Sequence, residues 1–479
     1  MGVPAGEISL NASKIVTNTA ANGGIAGALL PDGTMNNIFP VVLEEDRIAG
    51  VTRYRKIFLK NSSVLDASMY LARLYLLVPS PAGDNFRIAA GTDTDTQSAI
   101  EADQPHWVGT GDLKTALSGA ETSVDVTMET NDFEFLPGEY MMITGYTPTG
   151  QTLASGVLPG DSVQNTEADP ANMAAGAWEK VAFSNDWTYP KGRVIKAGQV
   201  ATISTVADRE MVQIKDTQIT DEDIGDGDGA NQTPALSTLS NPTNGIMGGD
   251  YAPVVTATCG GTERVVNVAD DGSCSGYCSA GQLNMTTGAW TTPITWTTAP
   301  DNATDILIDY ARKPYSYTGN DATVELESTV ANAYTTGNTT VCHCIGVDEL
   351  ITSVGSVVVT SAAGTYDDTT YPPVLSNRGT IKDTFTLTFT SGSAFSAAGV
   401  EAGSIGTGNT SANFIPINPD NGQPYFTLDL NGWGGTFLTG DTVVFPSTPS
   451  HMPIWLKEIV PAATSATERN IFPIMIYWQ

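Results

Sequence analysis

Five cysteines carry the most chemically suggestive spacing in this chain of 479 residues. Four of them fall in two tight pairs, Cys274 with Cys278 and Cys342 with Cys344. Side chains two residues apart on a strand point to the same face, so Cys342 and Cys344 could bind one ion. The second pair would complete a tetrahedral sulfur site for zinc or an iron–sulfur centre. Neither spacing is Cys-x-x-Cys, so a disulfide between Cys274 and Cys278, or unpaired buried thiols, are the alternatives.

A second cluster is basic. Of the chain's 22 Lys and Arg residues, five lie within 14 positions: Arg47, Arg53, Arg55, Lys56 and Lys60. The formal net charge of the whole chain is −30, so this cluster is a local inversion of charge. It could dock onto the acidic face of a neighbouring subunit. The alternative is a set of ordinary ion pairs within the chain.

Sites for catalysis or for sugars are few. The three histidines, His106, His343 and His451, lie in no known nucleophile motif, and the sequence has no Gly-x-Ser-x-Gly, phosphate-binding loop or His-Glu-x-x-His. We therefore expect a protein that is not an enzyme and uses no cofactor. Trp433, between Asn-Gly and Gly-Gly, is a candidate for stacking on a glycan, with a core or interface tryptophan as the alternative.

Composition favours strands over helices. Charged residues make up 15% of the chain, against about 25% in ordinary soluble domains, and Thr, Ser, Gly and Asn take their place. Thr favours strands and Gly favours turns, so we predict an all-β protein. Strong acidity repels nucleic-acid backbones, so direct DNA or RNA binding is not expected. The start of the sequence lacks a secretory signal, and its apolar runs are too short to span a bilayer, which predicts a protein made in a cytoplasm.

Alternating patterns and breaks divide the chain into four regions. Residues 1–36 have Gly-rich breaks and no sustained period, which suggests an extended N-terminal arm. Residues 37–213 form a first β domain, in which 147–176 is rich in loops. Residues 214–312 combine an acidic lead-in with a small β-sandwich module, and residues 313–479 form a C-terminal β domain. The predicted domains are antiparallel β-sandwiches or jelly rolls.

Strand patterns are clearest in two places. Phe385, Leu387 and Phe389 alternate with threonines, as in a half-buried strand. The segment 281–310 is typical of three short strands separated only by turns. Residues 67–78 have helical spacing as well as strand propensity, and we favour a strand. In the acidic lead-in, Asp221–Gly229 offers oxygens for calcium but lacks the EF-hand frame, so a solvated linker is the simpler interpretation.

The segment 281–310 resembles a β-module of tailed-bacteriophage baseplate and tail proteins. The shared pattern is an aromatic residue, Thr-Thr-Gly, then Thr, Ala-Pro and Ile-x-x-Tyr, often after an acidic Gly-rich lead-in such as Ile224–Gly229. Asn284-Met285 stands where that family usually has an aromatic residue. The resemblance covers residues 214–312. The segments 37–61 and 424–462 also resemble phage virion proteins.

This resemblance implies a non-enzymatic structural component of a tailed-phage virion, in the baseplate or tail tip. Its partners would be copies of itself and other virion proteins, assembled in the host cytoplasm. The alternatives are a receptor- or glycan-binding tail protein, which would contact the host surface, and a head-decoration or neck protein.

Overall fold

The computed structural model describes residues 3–30, 38–77, 79–80, 83–145, 209–240, 242–337, 339–464 and 474–478. Between 146 and 208 it describes only the backbone of five short strands. The chain forms two compact units. The first unit comprises Met1–Thr110, Tyr146–Asp208 and Cys342–Gln479, and the second comprises Gly111–Gly145 and Arg209–Val341.

The described residues contain two short α-helices, α1 (Glu44–Ala49) and α2 (Gln97–Asp103), and single 3₁₀ turns at Ala5–Glu7, Gly249–Tyr251 and Leu430–Gly432. The rest are strands and loops. The strands up to residue 208 are β1 (Ile8–Ile15), β2 (Gly23–Leu29), β3 (Val51–Asn61), β4 (Met69–Leu76), β5 (Asn85–Ala90), β6 (Thr110–Leu113), β7 (Ser123–Thr127), β8 (Tyr140–Gly145), β9 (Thr147–Thr149), β10 (Trp178–Ala182), β11 (Trp187–Thr188), β12 (Val194–Ile195) and β13 (Val200–Ile203).

The strands from 209 to 341 include the start of the long strand β24. They are β14 (Arg209–Gln213), β15 (Gln218–Asp226), β16 (Val254–Cys259), β17 (Thr262–Val268), β18 (Cys274–Gly276), β19 (Cys278–Leu283), β20 (Trp290–Trp296), β21 (Asp305–Ala311), β22 (Tyr315–Thr318), β23 (Asp321–Glu325) and β24 (Thr339–Leu350).

The remaining strands belong to the first unit. They are β25 (Ser353–Val354), β26 (Val358–Thr360), β27 (Thr365–Tyr366), β28 (Val374–Leu375), β29 (Asp383–Phe389), β30 (Ala394–Gly399), β31 (Gly403–Asn409), β32 (Phe426–Thr427), β33 (Trp433–Gly434), β34 (Thr442–Thr448), β35 (His451–Val460) and β36 (Ile474–Tyr477).

The first unit is built on an antiparallel sheet of order β2-β1-β3-β35-β5. One face of this sheet packs against strands β24, β4 and β36, which pair antiparallel with one another. The core between them is aliphatic. Its members include Ile57, Leu59, Leu74, Leu76, Ile88, Ile454, Leu456 and Ile476. This arrangement is a sandwich of two sheets, in which alternate residues of each strand point inward.

Residues 353–448 form a second, smaller β-sandwich inside the first unit. In the sequence they lie between β24 and β35. Its main sheet has the order β25-β34-β29-β30-β31, and β26 also pairs with β34. The core is aromatic, with Phe385, Phe389 and Phe445 almost fully buried. Phe389 stacks on Phe437 with ring centroids 3.7 Å apart. Large rings fill this small sandwich with few residues.

The second unit has two cores. Strands β6, β7, β23 and β22 form one sheet, and β14 pairs with β8. Their shared core includes Val124, Val126 and Val324. The other core lies in the 214–312 region, where a sheet of order β15-β21-β16-β17-β18 packs with the hairpin β19–β20.

The all-β multidomain fold predicted from the sequence is confirmed. Residues 69–76 form strand β4, as favoured, and β29 buries Phe385, Leu387 and Phe389 on one face. In the 214–312 module, Ile294, Trp296, Ile306 and Ile308 are fully buried as their alternation predicted. Most of the stretch 147–176, predicted to be rich in loops, lies outside the described residues.

Two predictions about local structure were wrong. Residues 8–15 and 23–29, predicted as part of an irregular arm, are strands β1 and β2, and five residues of β1 pair directly with β3. The acidic lead-in is not all linker, because Gln218–Asp226 is an edge strand paired with β21. Both segments lack strong alternation. Strands β2 and β15 are at the edges of their sheets, and β1 buries only two of its eight residues, so their patterns are weak although all three strands pair.

Gly272 is a position where the module depends on glycine. Its φ is +81°, and a Cβ there would lie 1.9 Å from the carbonyl oxygen of Leu283. Gly260 is a matched control, because its φ is +62° but a Cβ there would meet nothing within 4 Å. We predict that Gly272→Ala destabilises the chain by roughly 3 kcal/mol or more, and Gly260→Ala by about 1 kcal/mol. Urea unfolding monitored by tryptophan fluorescence would measure both, and equal effects would contradict the argument.

Candidate interaction surface

Strand β3 carries most of the basic cluster that the sequence singled out. Arg53 and Arg55 share the face of the sheet on which Ile57 and Leu59 enter the aliphatic core, and Lys56 lies on the other face. All three cations are buried, and Lys56 is only 1% exposed. Because a buried charge is costly without partners, their contacts decide what the cluster does.

Arg53 joins three parts of the first unit. Its Nη1 donates to Glu458 Oε2 at 3.3 Å, and Glu458 is its cross-strand neighbour on β35. The same guanidinium pairs with Asp46 of α1 and donates to the carbonyl oxygens of Pro40 and Val41. The Pro40–Asp46 segment is therefore attached to the sheet through a single side chain.

Arg55 and Lys56 hold two other loops. The Arg55 guanidinium donates to the carbonyl oxygens of Ile38 and Thr17 and to Asn18 Oδ1. Lys56 Nζ lies 2.5 Å from Asp95 Oδ1. The other carboxylate oxygen of Asp95 accepts from Trp455 Nε1 at 3.0 Å. Burial lowers the pKa of Lys56, and its hydrogen bond with Asp95 partly offsets this.

The sequence left two interpretations of the basic cluster, docking onto another subunit or ion pairs within the chain. For three of its members, the contacts favour the second. Arg53, Arg55 and Lys56 are held by partners within the chain, so their charges are not offered to another subunit. Lys60 is partly exposed and donates to the carbonyl oxygen of Arg378. Arg47, on α1, is also partly exposed. Docking through Arg47 and Lys60 stays a prediction.

The surface beside this cluster is more open than the cations themselves. A shallow pocket of about 380 Å³ lies at the start of β3, between the Pro40–Asp46 segment and the sheet. It is lined by Asn18, Pro40, Val41, Leu43, Glu45, Asp46, Val51, Thr52, Arg53, Tyr54 and Gln97. We call it the β3 pocket. Its rim is apolar on one side, where Val41 is 58% and Leu43 53% exposed.

Helix α1 directly follows Leu43 and carries a further exposed apolar side chain. It has six residues and none of them is buried, while Ile48 is 69% exposed. A helix this short is not stable by itself in water. It is held by the Asp46–Arg53 ion pair and by Asp46 Oδ2, which accepts from the backbone N–H of Leu43 at 3.0 Å. A tethered helix that buries nothing in its own chain is suited to packing against another molecule.

The electrostatics of this surface are mixed. Glu44 and Glu45 are exposed on the first turn of α1, and neither has an ion pair within the described part of the chain. Burial raises the pKa of Glu458, the cross-strand neighbour of Arg53, to about 7, although the Arg53 guanidinium works in the opposite direction. The surface therefore combines the apolar side chains of the pocket, two exposed carboxylates on α1, and Arg53 with its titratable partner Glu458.

The cysteine pairs lie in different units. Cys274 and Cys278 are half-buried on β18 and β19 of the second unit, and Cys342 and Cys344 are buried on β24 in the first. No disulfide joins any of the five cysteines, all of which are described. Burial raises the pKa of Cys274 to about 12 and that of Cys278 above its ordinary value. The four-sulfur metal site stays a prediction.

The remaining candidates have structural partners. Trp433 packs against the rings of Tyr366, Phe389 and Phe437 in the aromatic core. This packing agrees with the core tryptophan that was the alternative to a glycan contact. In the acidic run, Glu222 accepts from Ser240 and Tyr310, and Asp228 accepts from the backbone N–H groups of Ala230 and Asn231. These oxygens are occupied by hydrogen bonds within the chain.

Sequence reasoning missed the partners of the buried charges. His451 is buried against Phe58, with ring centroids 4.7 Å apart, and its Nε2 pairs with Asp93. Burial lowers the pKa of His451, and Asp93 partly offsets this. Asp93, Asp95 and Glu458 lie far from β3 in sequence, and each is an ordinary acidic residue in its local context. Only the tertiary structure shows that they are the partners of the buried basic side chains.

Comparisons with protein-family models, curated proteins and solved structures found no match to this chain. Neither helix among the described residues has the length and apolar character needed to cross a membrane.

Thiol reactivity tests the cysteine environments. At pH 8 only about 10⁻⁴ of Cys274 would be thiolate, so we expect an aromatic disulfide reagent to label the native chain slowly. After unfolding in guanidinium chloride all five thiols should react. A four-sulfur site would instead bring about one equivalent of zinc or iron in elemental analysis. Fast labelling of native Cys274, identified by peptide mapping, would contradict a thiol pKa raised by burial.

The raised pKa of Glu458 predicts a pH dependence. The pKa lies above its ordinary 4.5, so the stabilisation from protonated Glu458 is complete below about pH 4.5 and is lost as the pH rises through about 7. Glu458→Gln keeps the neutral form at every pH. We therefore expect it to gain roughly 2–3 kcal/mol relative to the natural chain between pH 5 and pH 8. Urea unfolding at both pH values measures this difference.

Glu349→Gln is the matched control, because Glu349 is exposed on β24. It should follow the natural chain at both pH values. If Glu458→Gln behaves in the same way, the Glu458 carboxylate is ionised at pH 5 and its pKa is not raised.

Proposed function

We propose that this chain is a non-enzymatic structural component of a tailed-phage virion, in the baseplate or tail tip, that acts through contacts between subunits. The observation that carries the proposal is the apolar surface around the β3 pocket. Val41, Leu43 and Ile48 are each more than half exposed and cover no part of their own chain's core. Together with the resemblance of 214–312 to baseplate and tail modules, this surface favours assembly over catalysis.

The distribution of exposed apolar residues supports the same proposal. Among the described residues, 17 of the 18 large hydrophobic side chains that are exposed lie in the first unit. The largest exposures are those of Leu65 and Val400, at 78% each. Single exposed apolar residues need no explanation, but Val41 and Leu43 both line the β3 pocket, and Ile48 lies on α1, which directly follows Leu43. That group is the part of the first unit we propose for subunit contacts.

The charge distribution is consistent with such a role. The second unit has 24 acidic and six basic residues, so it carries −18 of the net charge of −30. Arg312 pairs with Glu325 at 2.6 Å and Lys114 with Asp321 at 2.7 Å, which leaves the excess negative. A strongly acidic surface keeps free copies apart and soluble until specific contacts form. It also disfavours direct contact with a phage genome.

The proposal predicts where the chain is found. Particles purified from an infected host, labelled with a gold-conjugated antibody against this chain, should carry gold at the distal end of the tail in electron micrographs. Peptides of the chain should appear in the mass spectrum of the same particles. Particles that lack the chain would contradict a virion role. Gold on the head or neck would instead indicate a head-decoration or neck protein.

A glycan array separates the structural role from receptor binding. We expect no glycan signal above that of a Trp433→Ala variant, because the Trp433 ring is packed in the aromatic core. A signal that is lost in that variant, while its circular dichroism is unchanged, would instead indicate a receptor-binding tail protein.

A further inference from the structure

The β3 pocket is open to solvent, and the same chain carries an exposed segment whose chemistry matches it. We propose that a second copy of this chain fills the pocket with the side chains of its segment Lys14–Ile15–Val16. This inference rests on the proposed assembly role and names the partner. Ile15 is 43% and Val16 50% exposed, and Lys14 beside them is exposed as well. The segment thus carries two adjacent apolar groups and one cation, all open to solvent.

The chemistry of the segment matches that of the pocket. Ile15 and Val16 would pack against Val41 and Leu43, whose side chains are more than half exposed. Burying such groups removes apolar surface of both copies from water. Lys14 would lie beside the exposed carboxylates of the first turn of α1. Within the described residues neither Lys14 nor those carboxylates has an ion pair, so the contact would break none.

The segment is held in shape before it binds. Ile15 ends strand β1 and is the register partner of Gly23 on β2. Just beyond it, the carbonyl oxygen of Thr17 accepts from Arg55 Nη1 at 3.0 Å. A segment fixed at both ends loses little conformational freedom on binding, which favours affinity.

Position allows the contact to be reciprocal. Asn18 lines the β3 pocket and lies two residues after Val16, so the segment and the pocket are on the same side of the first unit. A two-fold axis near Asn18 would let each copy insert its segment and receive the other. Each copy's β3 pocket would then hold the segment of the other copy. The dimer would be closed, so no open chain of subunits would form.

Sedimentation velocity of the full chain over a concentration series tests the inference. The solution should hold about 0.15 M salt, because screening at that ionic strength limits repulsion between two copies of charge −30. We expect the natural chain to form dimers. Ile15→Asp and Leu43→Asp should each weaken the dimer at least about tenfold, since each places a charge in an apolar contact. Leu438→Asp is the control, because Leu438 is 61% exposed in the inserted sandwich, and it should change nothing.

Mixing the variants separates loss of the contact from loss of the fold. Ile15→Asp keeps its pocket and Leu43→Asp keeps its segment, so a mixture can form one intact contact per dimer. The mixture should therefore associate more tightly than either variant alone. A variant that had merely unfolded could not be rescued in this way.

Exchanging charges tests the polar half of the contact. Lys14→Glu should weaken the dimer, and adding Glu44→Lys and Glu45→Lys to the same chain should restore it. A monomeric natural chain, or variants that dimerise as well as the natural chain, would overturn the inference. The virion role would survive that result if the chain is still found in particles by mass spectrometry, so the two proposals fail separately.

Discussion

The pairing of β3 with β35 is the constraint on which the first unit depends. Ten residue pairs, from Val51–Val460 to Lys60–His451, join segments that lie some 400 positions apart in the chain. The second unit and the inserted aromatic sandwich both lie within the loop that this pairing closes. Closing such a long loop is entropically costly, so the pairing must be supported by the core that β3 and β35 form with β1 and β5. It also brings Glu458 opposite Arg53, whose buried guanidinium pairs with Asp46 as well.

The buried cations of β3 connect this sheet to the segments around it. Arg53, Arg55 and Lys56 act as ties from the sheet to the loops around residues 17–24, 38–46 and 95, mostly through backbone carbonyl oxygens. Buried ion pairs contribute little net stability relative to an apolar replacement, but breaking one is costly. Their effect is therefore positional. They fix α1 and the rim of the β3 pocket, so the apolar residues of that rim stay exposed where a flexible loop would fold them inward.

The two units have different surface chemistry. Exposed apolar side chains are concentrated in the first unit, and most of the excess negative charge lies in the second. In a protein that assembles in many copies, apolar contacts supply affinity and like charge limits indiscriminate association. This division of surface chemistry is what the proposed assembly role would require.

Local pattern determined the strand content of this protein, and long-range pairing determined its surfaces. Alternation in Phe385–Phe389 and in Ile306–Tyr310 placed strands and buried faces from sequence, because one buried face requires a period of two. The three strands predicted in segment 281–310 are β19, β20 and β21. Which strands pair was not predicted: β19 pairs with β20, and β21 lies between β15 and β16. Strands β1 and β2 escaped prediction because few of their side chains are buried. The basic cluster was visible in the sequence, but only the fold showed that its charges face Glu458, Asp46 and Asp95. Glu458 lies 405 positions from Arg53, so it leaves no local signal.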